Sequence, residues 1–155
     1  MFWTLAEQQA IKPLDNNNLK LFPQLQLEVE ANDIVKYLGF EFYQELKRTP
    51  TDYTLLLSGG TYTWQTLEYS FNGLKYVFAF LLFARYIRQS YIQDTFSGFV
   101  VHTQENAQRL SAVEIANQES RMLEIAATEW DACTKYLQTL NIQWFRKSAN
   151  INWYV

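Results

Sequence analysis

The most apolar stretch of the chain is residues 72–90, which read NGLKYVFAFLLFARYIRQS. Its centre, residues 77–84, is an unbroken run of apolar side chains. A helix without a polar stripe is buried by neighbouring protein or by lipid. The apolar run covers about 14 residues, whereas a membrane span needs about 20. We therefore expect residues 72–90 to form the central helix of a protein bundle, with Asn72 as its N-cap.

The segment before this helix, residues 21–47, also has a helical pattern. Its apolar residues recur close to the helical spacing, at Leu25, Val29, Ile34, Leu38, Phe42 and Leu46. Pro23 suits the first turn of a helix. Gly39 is expected to divide the stretch into two helices, the second of which covers residues 40–48 and ends before Pro50.

Residues 61–71 alternate between apolar and polar side chains, which predicts a β-hairpin with its turn near Gln65 and Thr66. The preceding Ser58, Gly59 and Gly60 indicate a turn, because no Gly-Lys-Ser/Thr of a phosphate loop follows them. A hairpin alone is marginally stable in water. We expect this one to lie against the helices or to pair with a neighbouring chain.

Beyond the central helix, residues 91–104 are interpreted as a linker in which 94–99 form an exposed loop rather than a strand. Residues 111–140 then predict a long amphipathic helix of about 45 Å. Its apolar face is predicted to contain Ala116, Leu123, Ala127, Trp130, Cys133, Leu137 and Leu140. Because this helix is longer than the central one, we expect one end to overhang the bundle and to meet a partner.

Both ends of the chain are interpreted as arms. Residues 1–19 join an apolar start, with Phe2 and Trp3, to a turn-prone patch with three consecutive asparagines. We expect this arm to pack through its first residues and then to form a loop; a disordered end is the alternative.

The C-terminal arm, residues 141–155, is rich in aromatic side chains around two basic ones. We expect it to dock on another protein, with folding back onto its own domain as the alternative. The predicted partner-binding residues are Phe2, Trp3, Trp144, Phe145, Arg146, Lys147, Trp153 and Tyr154.

The composition fits one domain of 155 residues, with a helical body at 20–140 between the two arms. Aromatic residues make up 17% of the chain, which fits either an aromatic core or a subunit that buries aromatic side chains against partners. The net charge of −3 argues against a broad basic face for nucleic acid. The single Cys133 excludes an internal disulfide, and the N-terminus has no signal-peptide pattern. Both features indicate a protein made in a cytoplasm.

The sequence contains no recognisable catalytic, metal or cofactor site. His102 is the single histidine and is placed in the linker, whereas Cys133 is placed on an apolar helix face. The glutamates of the last helix spread around it, which is typical of a solvated face. Arg85 and Arg88 complement the C-terminus of the central helix, and Arg85 is expected to have a carboxylate partner. We therefore predict a protein that is not an enzyme and has no metal or cofactor.

The predicted fold class is mainly α: a helical bundle around one buried central helix, with a small β-hairpin and extended N- and C-terminal arms. Three segments carry a resemblance to a known family. They are IVKYLGFEFYQEL at 34–46, LLSGGTYTWQTLEYSFNGLKYVFAFLLFARYI at 56–87, and the linker at 94–106 with the helix that follows it. In these segments the chain resembles head–tail connector (adaptor or ring) proteins of tailed bacteriophages of the Bacteroidetes and crAss-like type.

The resemblance implies a structural virion protein that is assembled in the host cytoplasm and located at the head–tail junction. Such adaptors form a homo-oligomeric ring, commonly twelve-fold, that contacts the portal protein and a neighbouring ring or tail protein. DNA passes through the channel without sequence-specific binding, and no membrane is involved. The alternative is a stopper or tail-completion protein of the same particle. A ligand-binding bundle with a pocket beside Tyr76, Tyr86 and Arg85 is disfavoured, because no catalytic set accompanies it.

Overall fold

The computed structural model describes residues 3–90, 92–95, 98–101 and 111–140. The fold is mainly α, as predicted. The helices are α1 Leu5–Ile11, α2 Phe22–Val29, α3 Val35–Leu38, α4 Phe40–Arg48, α5 Thr54–Ser58, α6 Leu74–Ser90 and α7 Ala112–Thr139. The strands are β1 Gly60–Trp64, β2 Leu67–Phe71, β3 Ile92–Thr95 and β4 Gly98–Val101.

Helix α6 is the central element, which confirms the prediction from its apolar run. Every residue from 77 to 84 is buried except Phe83, which is half-buried. The helix contacts α1, α2, α5 and α7. These neighbours supply the burial that a helix without a polar stripe needs.

The predicted N-cap of α6 is wrong by one residue. The helix begins at Leu74, and the carbonyl of the preceding Gly73 accepts the backbone N–H of Tyr76 at 3.1 Å. The side chain of Asn72 is used elsewhere, because its Nδ2 donates to Oε1 of Glu129 on α7 at 2.9 Å. Asn72 thus connects the start of α6 to the antiparallel helix beside it.

The segment before the hairpin is helical, as predicted. Pro23 lies in the first turn of α2, and Gly39 separates α3 from α4 at a φ of 77°. Between α2 and α3 the helix widens into a π-helical turn, Glu30–Ile34, in which the N–H of Val35 bonds to the carbonyl of Glu30. Single π-helical turns are rare and occur often at functional positions.

Strands β1 and β2 form the predicted hairpin, with Trp64 opposite Leu67 across the turn. The two glycines at its root bring the incoming and outgoing backbones together. Gly59 has φ +76° and Gly73 has φ +86°, and a Cβ on Gly73 would lie 2.2 Å from the nitrogen of Gly59. Only glycine fits both positions, so the hairpin leaves the body at a fixed place beside the start of α6.

The region after α6 differs from the prediction. Residues 94–99 were expected to form an exposed loop, whereas β3 and β4 pair antiparallel, with Thr95 opposite Gly98. The β-branched and apolar residues Ile92, Thr95 and Phe99–Val101 favour paired strands. Asp94 and Gly98 are typical of turns, and for this reason the sequence predicted a loop rather than strands here.

Helix α7 has the predicted extent, and Ser111 caps it. The Ser111 hydroxyl accepts the N–H of Glu114, whose carboxylate accepts the N–H of Ser111 in return. These hydrogen bonds lower the pKa of Glu114. Residues 111–118 are exposed except for the half-buried Ile115, so this end reaches beyond the packed part of the helix, as expected.

The packed face of α7 differs from the predicted face in its first half. Met122 and Ala126 are buried, whereas Leu123 is 44% exposed and Ala127 is exposed. The buried Cys133 and Leu137 agree with the prediction. The predicted stripe contained two successive spacings of three residues, each about 60° short of a full helical turn. From Cys133 towards the N-terminus, the predicted stripe therefore turns away from the face that contacts α6.

The N-terminal segment is folded onto the body, in contrast to the extended arm predicted for residues 1–19. Thr4 and Glu7 form a capping box at the start of α1, which packs against α6. The carboxylate of Glu7 also pairs with Lys75 of α6. The asparagine-rich patch lies in a 3₁₀ helix, Asn16–Leu21, rather than in a loop.

Candidate functional site

The titratable groups of the described residues were compared with the ligand sets of metal sites and with a reactive thiol. Within residues 3–90, 92–95, 98–101 and 111–140, no three His, Cys, Asp or Glu side chains are grouped to hold a metal ion. Cys133 is fully buried, and burial raises the pKa of its thiol to about 12. A thiol with this pKa is not a nucleophile at neutral pH. His102 lies outside the described residues.

The best-enclosed polar groups connect the helices to one another. The carboxylate of Glu30, which is 5% exposed, accepts the hydroxyl of Tyr43 at 2.7 Å. Burial, together with this hydrogen bond, raises the pKa of Tyr43. Gln26 donates to the carbonyl of Trp3 at 3.0 Å, which ties α2 to the N-terminal segment. These contacts hold the body together rather than opening a ligand site.

The structure assigns Trp3 to the core of its own chain. Its side chain is 1% exposed and stacks on Phe78 of α6. This placement is a correction to the prediction that Trp3 binds a partner, and it agrees with the expectation that the first residues pack. The reason is that α1 brings the start of the chain onto α6. The other predicted partner-binding residues lie outside the described residues: Phe2, Trp144, Phe145, Arg146, Lys147, Trp153 and Tyr154.

Large apolar side chains are exposed on several elements of the body. Among the described residues they are Leu27 and Phe40 on α2 and α4, Trp64 and Leu67 on the hairpin, Val113 and Leu123 on α7, and Leu140 at the C-cap of α7. Scattered single apolar residues are normal on a protein surface. Three of these positions, Trp64, Leu67 and Leu123, are different, because they belong to two defined surface features.

The first feature is the hairpin tip, which we define as Trp64, Gln65, Thr66 and Leu67. Trp64 and Leu67 are 37% and 59% exposed and lie opposite each other on one face of the ribbon. Both turn residues have positive φ, 48° at Gln65 and 72° at Thr66. Positive φ is unusual for residues other than glycine and most unusual for a β-branched one. The tip therefore holds a strained two-residue turn between two exposed apolar side chains.

The root of the same hairpin is anchored by aromatic packing. The ring of Tyr136 on α7 lies 4.9 Å from that of Phe71 and 5.2 Å from that of Tyr62 between centroids. Phe71 is buried and Tyr62 is half-buried, so exposure increases along the ribbon towards the tip. The hairpin is thus fixed at its root and projects its tip.

The second feature, which we call the α6–α7 cleft, is a concavity of about 340 Å³ between α2, the π-helical turn, α6 and α7. Leu81 and Ala84 line its floor and Leu123 one wall. Arg85 is held by Asp33 of the π-helical turn, with Nη2–Oδ2 at 2.6 Å. This ion pair confirms the carboxylate partner expected for Arg85.

Arg88 at the rim of the α6–α7 cleft is held more loosely. Its side chain is 72% exposed, and its Nη1 lies 3.9 Å from Oε1 of Glu119. On the opposite rim, Gln89 donates to Glu28 at 3.2 Å. The cleft therefore carries Arg88 together with the carboxylates of Glu28 and Glu119, above Leu81 and Ala84.

The hairpin tip and the α6–α7 cleft lie towards opposite ends of α7. The hairpin root packs on Tyr136, whereas Leu123 and Glu119 belong to the cleft. At 1.5 Å per residue, Leu123 and Tyr136 are about 20 Å apart along the helix axis. The two features of one chain are therefore separated by much of the length of this helix.

Comparison with known families gives one match. Residues 34–152 match the model of a family of unknown function, DUF6712. The chain belongs to the DUF6712 family. No curated protein and no solved structure matches the chain.

In this DUF6712 member, the matched range includes the whole β1–β2 hairpin, α6 and α7. It begins after α1, α2 and Asp33, so part of one side of the cleft precedes it. Among the described helices, none combines the length and the hydropathy that a membrane span requires.

Neither the hairpin tip nor the α6–α7 cleft was predicted as a surface feature from the sequence, although the hairpin tip could have been. A two-residue turn at Gln65 and Thr66 necessarily puts Trp64 opposite Leu67, and this pairing could have been read from the predicted hairpin. For the cleft, the sequence predicted only that Arg85 has a carboxylate partner, and it could not identify Asp33 as that partner, because the two residues are 52 positions apart in the chain.

Proposed function

We propose that this DUF6712 member is a structural virion protein that forms a homo-oligomeric ring in the head–tail connector of a tailed bacteriophage. The ring joins the portal protein to the tail or to the next ring protein, and it extends the channel through which DNA passes. The proposal rests on the resemblance of residues 34–46, 56–87 and 94–106 to connector proteins, together with the surfaces of the folded body.

The observation that carries the proposal is the placement of exposed apolar groups near both ends of one rigid helix. The hairpin root packs on Tyr136 near the C-terminal end of α7, whereas Leu123, 44% exposed, and Val113, a single residue 68% exposed, lie in its N-terminal half. Exposed apolar groups at opposite ends of a body fit a subunit that contacts different neighbours at once. A small-molecule enzyme, by contrast, concentrates such groups in one pocket.

The charge of the chain is compatible with a channel protein. The formal net charge of −3 gives no broad basic surface that would hold DNA through its phosphates. Passing DNA would thus meet little electrostatic retention.

Truncation tests the proposal. We expect deletion of residues 143–155 to leave the thermal unfolding of the body unchanged and to abolish binding to the portal protein of the same phage. The matched control replaces the same residues by a Gly/Ser segment of equal length, which keeps the chain length and removes the aromatic and basic side chains. If either variant still binds the portal protein, or if the truncated chain unfolds, the docking role of the C-terminal arm is contradicted.

The stopper or tail-completion alternative differs in position within the same particle. An adaptor contacts the portal, whereas a stopper contacts a ring below it. Crosslinking of purified particles followed by mass spectrometry distinguishes them: crosslinks from this chain to the portal support the adaptor, and crosslinks to tail proteins alone support the alternative.

A further inference from the structure

We propose that the basic part of the C-terminal arm of one copy binds in the α6–α7 cleft of a second copy, with Arg146 and Lys147 next to the carboxylates of Glu28 and Glu119. This contact deepens the proposed ring and rests on it, because it specifies which surfaces join adjacent subunits.

The α6–α7 cleft carries more negative than positive charge. Three of the charged side chains that line it are acidic, Glu28, Asp33 and Glu119, and two are basic, Arg85 and Arg88. The Asp33–Arg85 pair is closed, because Nε and Nη2 of the guanidinium lie 3.1 and 2.6 Å from one carboxylate oxygen. Arg88 is the cation nearest Glu119, at 3.9 Å. The cleft therefore holds one carboxylate more than its guanidinium groups can pair.

Glu28 is the carboxylate that this balance leaves without a cation among the described residues. Its side chain is half-buried, and its oxygens accept amide hydrogens from Gln24 at 3.0 Å and from Gln89 at 3.2 Å. A positive charge compensates the lost hydration of a carboxylate better than neutral amides do. A basic group bound in the cleft would supply that charge.

The C-terminal arm contains a segment with the matching charge. The chain has two pairs of adjacent basic residues, and the first, at 47–48, pairs with carboxylates of its own chain. The second pair, at 146–147, directly follows Trp144 and Phe145. Residues 141–155 contain no acidic side chain, so this segment carries two positive side-chain charges. Opposite charges on two surfaces favour their association and fix its register.

The apolar part of the cleft is small. Leu123, at one wall, is 44% exposed, whereas Leu81 and Ala84 are almost completely buried. The volume of about 340 Å³ suits a few side chains rather than a whole helix. A short segment in which an aromatic ring adjoins two cations fits this mixture better than an apolar segment does. Charge, more than apolar area, therefore determines what the cleft binds.

The arm of a chain does not reach the cleft of the same chain. At 1.5 Å per residue, Leu123 and Glu119 lie about 26 and 32 Å from Leu140 along α7. An extended chain spans at most about 3.6 Å per residue, so the backbone of Lys147 stays within about 25 Å of Leu140. The chain would also have to reverse its direction at the end of α7. The basic pair therefore binds in the cleft of a different copy.

This contact joins two different surfaces of identical chains. Such a contact is heterologous, and its repetition closes a ring or extends a filament. A dimer built on one self-complementary surface would stop at two copies. The contact uses the first part of the arm, so Trp153 and Tyr154 are left for the portal protein.

Cysteine crosslinking between two variants of the full chain tests the contact. One variant carries Ser148→Cys beside the basic pair, and the other carries Leu123→Cys in the wall of the cleft. Native Cys133 is 0% exposed, so a bismaleimide reacts with the introduced cysteines only. With each variant at about 1 mM, even a contact with a Kd near 1 mM is substantially occupied.

We expect this mixture to give several times more covalent heterodimer than a control mixture. In the control, Gln44→Cys replaces Leu123→Cys, because Gln44 is exposed on α4 and does not line the cleft. Two results would overturn the proposal. The first is a yield from the test mixture no higher than from the control. The second is a double variant, Ser148→Cys/Leu123→Cys, that crosslinks within single chains in dilute solution, since the arm would then occupy the cleft of its own chain.

A charge exchange supplies a second, independent test. Arg146→Glu/Lys147→Glu in the arm should reduce the heterodimer by about tenfold, and Glu28→Lys in the chain with the cleft cysteine should restore most of it. Lys20→Glu/Lys135→Glu makes the same change in net charge at exposed positions outside the cleft and serves as the control. An equal loss from this control, or no recovery with Glu28→Lys in a folded chain, would exclude the pairing of the arm with the cleft.

The outcomes separate this inference from the proposed function. A connector ring whose subunits meet through other surfaces would refute the contact between arm and cleft and leave the connector role intact. A heterodimer formed by a chain that is absent from purified particles would support the contact and refute the connector role.

Discussion

The indole of Trp3 stacks on the ring of Phe78, with the centroids 5.7 Å apart and the planes inclined by 20°. This contact joins the start of the chain to the middle of α6. It makes the N-terminal segment part of the core, so an effect of mutation there is an effect on folding.

Two tryptophan substitutions test which indole is part of the core and which lies on the surface. Trp3→Ala should lower the free energy of unfolding by about 3–5 kcal/mol, because it empties a buried site. Trp64→Ala, at a 37% exposed position on the hairpin tip, should change it by less than about 1 kcal/mol. Urea denaturation of both variants measures the difference. Equal stability of the Trp3 variant and the parent chain would contradict its assignment to the core.

Two adjacent alanines test which face of α7 is packed. Ala126 is 0% exposed and Ala127 is exposed, so Ala126→Asp buries an unpaired carboxylate and Ala127→Asp does not. We expect Ala126→Asp to prevent folding or to cost more than about 4 kcal/mol. Ala127→Asp should unfold near the parent temperature. Circular dichroism during heating compares them, and the reverse order would support the face predicted from the sequence.

The Glu7 carboxylate gives a pH-dependent prediction. Burial alone would raise its pKa, but hydrogen bonds from Lys75 and Thr4 outweigh burial and lower the pKa below 4.5. A lowered pKa in the folded state means that the stabilisation is present above pH 4.5 and is lost as the pH falls through the folded value. Glu7→Gln should therefore cost about 1 kcal/mol at pH 7.

The pH profile of this cost is the decisive readout. The difference in unfolding free energy between the parent and Glu7→Gln should shrink as the pH falls below 4.5, the ordinary value. Glu124→Gln removes the same charge from an exposed position of α7 and serves as the control. A difference that stays constant down to pH 2 would show that the carboxylate charge contributes nothing.

The turn at the hairpin tip offers a stabilising prediction. Replacing Gln65 and Thr66 by Asn and Gly supplies residues that accept positive φ at both positions. We expect the free energy of unfolding to rise by about 1 kcal/mol, with the register of β1 and β2 unchanged. Chemical denaturation provides the measurement, and a loss of stability would argue that the φ values are not a source of strain.

Local signals in the sequence were sufficient for much of the fold. Gly39 was predicted to divide two helices, residues 111–140 to form one long helix, and the alternation around Gln65 to form the hairpin. Each of these depends on residues close together in the chain, where backbone preference and periodicity act directly.

What depended on tertiary packing was predicted less well. Whether Ala126 or Ala127 is buried depends on how α7 packs on α6. The burial of Trp3 depends on its contact with Phe78, which is 75 positions away in the chain. The α6–α7 cleft is lined by residues from three separate segments of the chain. In one of them, the π-helical turn Glu30–Ile34 contains Asp33, which binds Arg85. The periodicity of apolar residues within one helix does not show which residues of other elements pack against that helix.

The central claim is that the chain works through contacts with other subunits of a virion. Electron cryo-microscopy of purified particles, combined with mass spectrometry of their proteins, tests it most directly. The account predicts a ring of this chain between the portal and the tail. Absence of the chain from the particles would contradict the account.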